Sequence, residues 1–202
     1  MGPEAIRTQL VKIAQELSGE LADAIAHTPS LQLMPNQESP FSERLCRAVA
    51  GQQLSVKAAA SIWGRVVDSA ASQPLINYFA TVSPEMLRNC GLSNAKAKAM
   101  RAIALATLAN QLDEVLLCEL DHCDRSNCLT EIWGVGQWTA DMMGIFYFGD
   151  PDIWPDGDTT ARKTLERLTS RRRKTVRTAA RFAPYRSYLA LYMWHQADTP
   201  IV

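Results

Sequence analysis

LTEIWGVGQWTADMMGIFYFGDPDIWPDGD, running from Leu129 to Asp158, decides how the rest of the chain is read. A short helical run leads to Trp133, the chain turns through Gly134-Val135-Gly136, and helix resumes at Gln137. Two glycines one residue apart allow positive φ and let backbone come close to a ligand. The helix that follows offers unpaired N–H groups and the positive end of a dipole, a combination suited to a phosphate oxygen. A GxG pattern alone is also an ordinary helix corner, so its flanks matter. The stretch ends in a Pro/Gly/Asp-rich loop that presents Asp158 just before Thr159-Thr160 and another helix. An aspartate there is a standard N-cap, and a carboxylate at a helix start stays ionised. Asp156 competes as the functional carboxylate of this loop; the order Gly157-Asp158-helix favours Asp158.

The bulk composition narrows the class. The chain has 202 residues, 47% of them apolar, enough for one large domain or two small lobes. Long Ala- and Leu-rich segments with few β-branched runs point to an all-α protein. Formal net charge is zero. The global basic signature of many nucleic-acid binders is therefore absent, and any such contact must come from a local patch. Residues 171–186 hold seven basic residues and no acidic ones, a solvated face that could also steer phosphate in a salt-sensitive way. Five cysteines, an odd number, suggest reduced thiols and a cytoplasmic protein. No apolar run reaches the roughly 18 residues of a membrane span.

Taken in order, residues 3–27 carry Ile6, Leu10, Ile13, Leu17, Leu21 and Ile25 on one helical face. Pro29 to Pro40 reads as a linker. A helix opens at Phe41, with Ser39 or Ser42 as its cap, and is interrupted at Gly51-Gln52-Gln53-Leu54-Ser55. Further helices are expected over 56–69, from Ser83 to Leu87, over 94–110 and from Leu112 to Leu120, with Asp124 to Cys128 a polar break. Beyond Asp158 come helices at 159–168, 170–181 and Tyr185 to Gln196. Two lobes follow from this layout, a central one at about 41–128 and a second that joins 1–40 to 129–202.

Leu129-x4-Gly134-Val135-Gly136-x-Trp138-Thr139-Ala140 resembles the helix-hairpin-helix of the base-excision DNA glycosylase superfamily. Asp158, twenty residues after Trp138, is similar in placement to that superfamily's catalytic aspartate. Gly51-Gln52-Gln53-Leu54-Ser55-Val56, Gly91-Leu92-Ser93-Asn94-Ala95-Lys96-Ala97 and Ala183-Pro184-Tyr185-Arg186-Ser187-Tyr188 follow the family order, so the resemblance spans roughly Pro40 to Trp194. It is closest to the alkyladenine branch, of the DNA-3-methyladenine glycosylase II type. The larger bacterial relatives carry an extra N-terminal β domain, which is not expected in the helical-looking residues before Pro40.

The resemblance implies a two-lobed, all-α HhH-GPD fold with the hairpin beside an inter-lobe cleft. It implies a monofunctional glycosylase that removes alkylated purines, of the 3-methyladenine and 7-methylguanine type, from damaged double-stranded DNA in base excision repair. Members that also cut the backbone have a lysine, which forms a Schiff base, where this chain has Trp138. Gly134, Gly136, Gln137 and Thr139 would hold the DNA backbone. Gln53 or Leu54 would fill the hole left by the flipped base, with Gln52 on the pocket side and the choice among the three open. Trp138, Tyr185, Trp133 and Met142 would line the base pocket, where a cationic purine over an indole gains about 0.5–2 kcal/mol. Trp194, Tyr188 and Tyr192 read instead as core at helical spacing.

No cofactor is expected. Cys118-x4-Cys123-x4-Cys128, with His122 inside, lacks the usual zinc spacing. Some members of the superfamily carry an iron–sulfur cluster after the catalytic helix, but no cysteine follows Cys128. A monovalent cation at the hairpin carbonyls is compatible with the family. The protein is expected to act as a monomer, near the nucleoid in a prokaryote or in the nucleus of a eukaryote. Two other readings stay open: a glycosylase for another purine lesion, and a non-catalytic helix-hairpin-helix module that only binds DNA.

Overall fold

A computed structural model describes residues 1–170, 172 and 174–198. Two arginines of the basic run, Arg171 and Arg173, lie outside the described residues. Among those described the chain is all-helical. In order the α-helices are α1 (Pro3–Gln15), α2 (Gly19–Ala26), α3 (Phe41–Gly51), α4 (Val56–Ser69), α5 (Leu75–Thr81), α6 (Pro84–Asn89) and α7 (Asn94–Leu108). They continue with α8 (Glu114–Glu119), α9 (His122–Thr130), α10 (Gln137–Met143), α11 (Thr159–Leu168), α12 (Thr175–Ala180) and α13 (Arg186–Asp198). A π-helical segment, Gly144–Phe148, extends α10. No helix among the described residues is long and apolar enough to cross a membrane.

The chain packs as two units. Met1–Pro35 with Gly144–Val202 form a terminal unit, and Asn36–Met143 form a central one. The division falls after Met143 rather than before Leu129, so the hairpin belongs with the central unit. The reason is local packing: Leu129, Ile132, Val135 and Ala140 are buried, and α10 packs on α9 and α3.

In the terminal unit, the single helix expected over residues 3–27 is two helices. Ser18 breaks it, accepting a hydrogen bond from the Leu21 amide (3.4 Å) as the N-cap of α2. Its hydroxyl also donates to the Leu168 carbonyl at 2.7 Å, which ties the corner to the end of α11. The apolar stripe survives the break: Ile6, Leu10, Leu21 and Ile25 join Leu165, Phe182, Leu189 and Met193 in one core.

The central unit is built on α7. Its alanines, Ala97, Ala99 and Ala104, are buried and small enough to admit neighbouring helices closely. Phe41, Leu45, Phe79, Leu87, Met100 and Ile103 fill the core around them. Pro40, with no side-chain bond, occupies the N-cap of α3, rather than Ser39 or Ser42. Helix α5 is too short to show a clear periodicity in the sequence; it follows Pro74 and buries Tyr78 and Phe79. Of the basic helix expected at 170–181, Thr175–Ala180 are the helical residues among those described.

The expected polar break at Asp124–Cys128 is instead part of α9. Asp121 caps it, accepting from the Asp124 amide at 2.9 Å. Its inward face looks polar because a buried arginine stands where an apolar residue would be expected. Arg125 Nε donates to the Leu117 carbonyl at 2.8 Å, and a terminal nitrogen donates to that of Leu120 at 2.5 Å. The guanidinium thus closes the end of α8. Hydrogen bonds to charged groups contribute about 1.5–3 kcal/mol. We predict that Arg125→Met lowers the free energy of unfolding by at least about 1.5 kcal/mol in urea titration; an unchanged value would refute the capping role.

Candidate functional site

Two glycines frame the turn between α9 and α10, and they differ in kind. Gly134 has φ +89°, and a Cβ there would collide with the Ala99 side chain and lie 3.3 Å from the Ala99 Cα. It is a packing glycine, set against α7. Gly136 has open space where a Cβ would stand. Within the turn the Val135 amide donates to the Ile132 carbonyl (3.0 Å), and the Thr139 and Ala140 amides donate to Gly136 (2.9 and 3.1 Å). Among the described residues, the amides of Gly134, Gly136 and Gln137 have no protein acceptor. All three residues are exposed. That arrangement suits a phosphate oxygen.

The side chains of the expected backbone contacts are committed elsewhere. Thr139 is buried, with its hydroxyl accepting from Gln52 Nε2 at 2.9 Å and its amide engaged in the turn, so it makes no external contact. Gln137 Nε2 donates to Asp141 Oδ1 (2.8 Å) and to Ser126 Oγ (3.3 Å). Buried Asp141 is also 3.0 Å from His122 Nε2. This network locks α10 to α9, so what the hairpin offers outward is main chain.

Gly51-Gln52-Gln53-Leu54 forms a type II β-turn. Gln52 has φ −51° and ψ 132°, Gln53 has φ +58°, and the Leu54 amide donates to the Gly51 carbonyl at 3.2 Å. The third turn position favours glycine, and a glutamine held there stores of order 1 kcal/mol. Gln53 and Leu54 are both exposed, the latter at 39%. Of the expected pocket residues, Trp138 and Met142 are half-buried on α10. Trp133 differs: the Lys98 ammonium sits 4.1 Å from its ring centroid, so a cation already occupies an indole face. The ring is exposed, and Lys98 stands over one of its two faces.

In the terminal unit, Asp158 caps α11. Its Oδ1 accepts from the Ala161 amide at 2.8 Å and from the indole Nε1 of Trp194 at 2.9 Å. Trp194 in turn lies against Phe146, with centroids 5.6 Å apart. The aromatic neighbour of the carboxylate is thus Trp194, whose helical spacing suggested only core. Tyr185, expected in the base pocket, packs against the core, with its ring 6.2 Å from Tyr188 and its hydroxyl toward Met1. The competing Asp156 accepts from the Thr175 hydroxyl at 3.1 Å, which ties it to α12.

The loop that carries Asp158 is stapled to the start of α13. Arg186 donates to both carboxylate oxygens of Asp152 (2.7 and 2.9 Å) and to its carbonyl (2.9 Å). Ser187 Oγ donates to the Asp150 carbonyl (2.6 Å) and accepts from the Ile153 amide (2.9 Å). Burial opposes ionisation of Asp152, but the Arg186 hydrogen bonds and charge prevail and hold its carboxyl below the usual range. Arg186 is therefore committed to the loop. Among the described residues, no group of three or more His, Cys, Asp and Glu could hold a metal ion. Cys118, Cys123 and Cys128 are exposed free thiols.

A family model described as "HhH-GPD superfamily base excision DNA repair protein" matches residues 46–183. The chain belongs to this superfamily. Its relatives include the Schizosaccharomyces pombe protein named DNA-3-methyladenine glycosylase 1, 31% identical over 95% of this chain and 89% of that one. Among solved structures, a DNA-3-methyladenine glycosidase from Bacillus halodurans superposes with a TM-score of 0.77 at 28% identity, covering 96% of this chain and 89% of that one. A 3-methyladenine DNA glycosylase from S. pombe, in complex with abasic DNA, gives 0.74 at 27% identity, covering 93% and 97%. The hairpin, the Gln53 turn and the Asp158 loop of this HhH-GPD chain all fall within the matched residues.

The two hairpin glycines give a paired prediction. Gly134→Ala forces a left-handed alanine, at about 1–2 kcal/mol, and overpacks Ala99, at about 1–3 kcal/mol more. Gly136→Ala should leave stability within about 0.5 kcal/mol. Thermal and urea unfolding of the two variants checks the ordering; equal losses would contradict the distinct roles.

Proposed function

We propose that the chain is a monofunctional DNA glycosylase that hydrolyses the N-glycosidic bond of alkylated purines in base excision repair. The observation that carries this reading is the Asp158 carboxylate, half-buried, with Oδ1 fixed by a helix amide and an indole N–H. Such a group does not reorganise when positive charge develops beside it, which is what makes preorganised electrostatics effective. The names of the S. pombe relative and of the B. halodurans structure support the substrate class.

Each unit has a task. In the central unit, the amides of Gly134, Gly136 and Gln137 bind phosphate oxygens of damaged duplex DNA. Gln53 and Leu54, at the exposed turn, fill the space a flipped nucleotide leaves in the stack, because an unfilled gap forfeits stacking. Trp138 and Met142 on α10 contribute to the base site. In the terminal unit, Asp158 stabilises the oxocarbenium-like sugar and orients the attacking water. An alkylated purine such as 3-methyladenine is cationic and departs as a neutral molecule, so the leaving group demands little acid catalysis. No cofactor enters the reaction. With Trp138 where a Schiff-base lysine would stand, the product is an abasic site on an uncut strand.

The reading is tested by incubating methylated duplex DNA with the protein and following released bases and strand integrity. The expected result is free 3-methyladenine, strand breaks only after alkali, and nothing trapped by borohydride. Duplex binding without base release would favour the non-catalytic alternative, and release of only deaminated or oxidised purines would move the substrate class.

A further inference from the structure

The Gln53 turn is held from below by two contacts. Lys96, in the first turn of α7, points its ammonium at the C-terminal end of α3. Nζ donates to the Ala50 carbonyl at 2.9 Å and to the Gln52 carbonyl at 2.7 Å. These are carbonyls that a helix end leaves without partners, at the negative end of the α3 dipole. Gln52, the second turn residue, reaches the other way and donates to the buried Thr139 hydroxyl on α10 at 2.9 Å. Between these two anchors stands Gln53, a non-glycine residue in the left-handed region at φ +58°. Burial lowers the pKa of Lys96 from the ordinary lysine value.

We propose that Lys96 is a positioning residue for base flipping: with the Gln52–Thr139 bond it braces the Gln53-Leu54 turn, so that the turn enters the duplex already shaped. The inference rests on the glycosylase reading above. A turn strained at Gln53 relaxes unless something holds it, and Lys96 bonds to carbonyls on both sides of Gly51, at the base of the turn. The Gln52–Thr139 bond couples the turn to the hairpin, so the elements assigned to the stack and to the phosphates move together. Lys96 acts through the turn and touches neither the sugar nor the base.

The test separates a brace for flipping from a plain structural cap. Single-turnover excision of a site-specific 7-methylguanine is measured in a fully paired duplex and in one where the same nucleotide is an unpaired bulge. Phosphate contacts are shared by the two substrates, whereas the bulge needs little help to leave the stack. Lys96→Met should slow excision from the paired duplex about tenfold or more and from the bulge less than threefold. Lys96→Arg, which keeps a donor, should recover most of the paired rate. If Lys96→Met does not fold by circular dichroism, Thr139→Val, which removes the Gln52 acceptor at nearly constant volume, should show the same selective loss. Equal losses on both substrates, or none on the paired one, with an active wild type would overturn the brace alone. A wild type inactive on both would remove the glycosylase reading and this inference with it.

Discussion

Two donors converge on one oxygen of Asp158: the Ala161 amide at the start of α11 and the Trp194 indole on α13. The terminal unit is arranged around keeping that convergence in place. Arg186 and Ser187, at the start of α13, grip the loop over Asp150–Ile153 that leads into the aspartate. The α11–α13 pair buries Leu165, Leu189 and Met193 in a shared core with α1 and α2. A shift of α13 by even part of a turn would remove the indole from the carboxylate. Fixed dipoles around a charged group are effective because the protein has already oriented them, and here the packed core provides that rigidity.

The central unit follows a similar logic with main chain in place of a side chain. Its hairpin keeps its own polar side chains occupied: Gln137 with Asp141 and Ser126, Thr139 with Gln52. What remains outward is a set of exposed amides, donors of the kind that suit a phosphate without regard to base. A protein of zero formal net charge can grip a polyanion locally in this way, without a uniformly basic surface. The basic run near α12 includes Arg181, which pairs with Glu16 at 2.5 Å, so part of that charge is spent within the unit.

Much of this was legible in the residue order, and the failures have physical causes. Gly157-Asp158-Thr159-Thr160 announces an N-cap because capping is local. The bond from Trp194 is not local: it joins residues 36 apart, and a tryptophan at helical spacing looks the same whether its N–H faces a carboxylate or not. The positive φ of Gly134 could be anticipated from the Gly-Val-Gly turn, but its reason, the approach of Ala99, depends on how α7 packs. Thr139 looked like a phosphate contact because it follows the turn; the helix phase instead rotates it inward. Helix α9 was hidden by Arg125, a charged residue on a buried face. Lys96 gave no sign, since its partners lie 44 and 46 residues away.

The most direct measurement is single-turnover release of 3-methyladenine from methylated duplex DNA by the wild type and by Asp158→Asn, which preserves shape and an oxygen acceptor but removes the charge. The account predicts a loss of about 100-fold or more, in line with removal of a preorganised electrostatic stabiliser, with duplex affinity retained. Release at the wild-type rate would show that the carboxylate is a helix cap and nothing more.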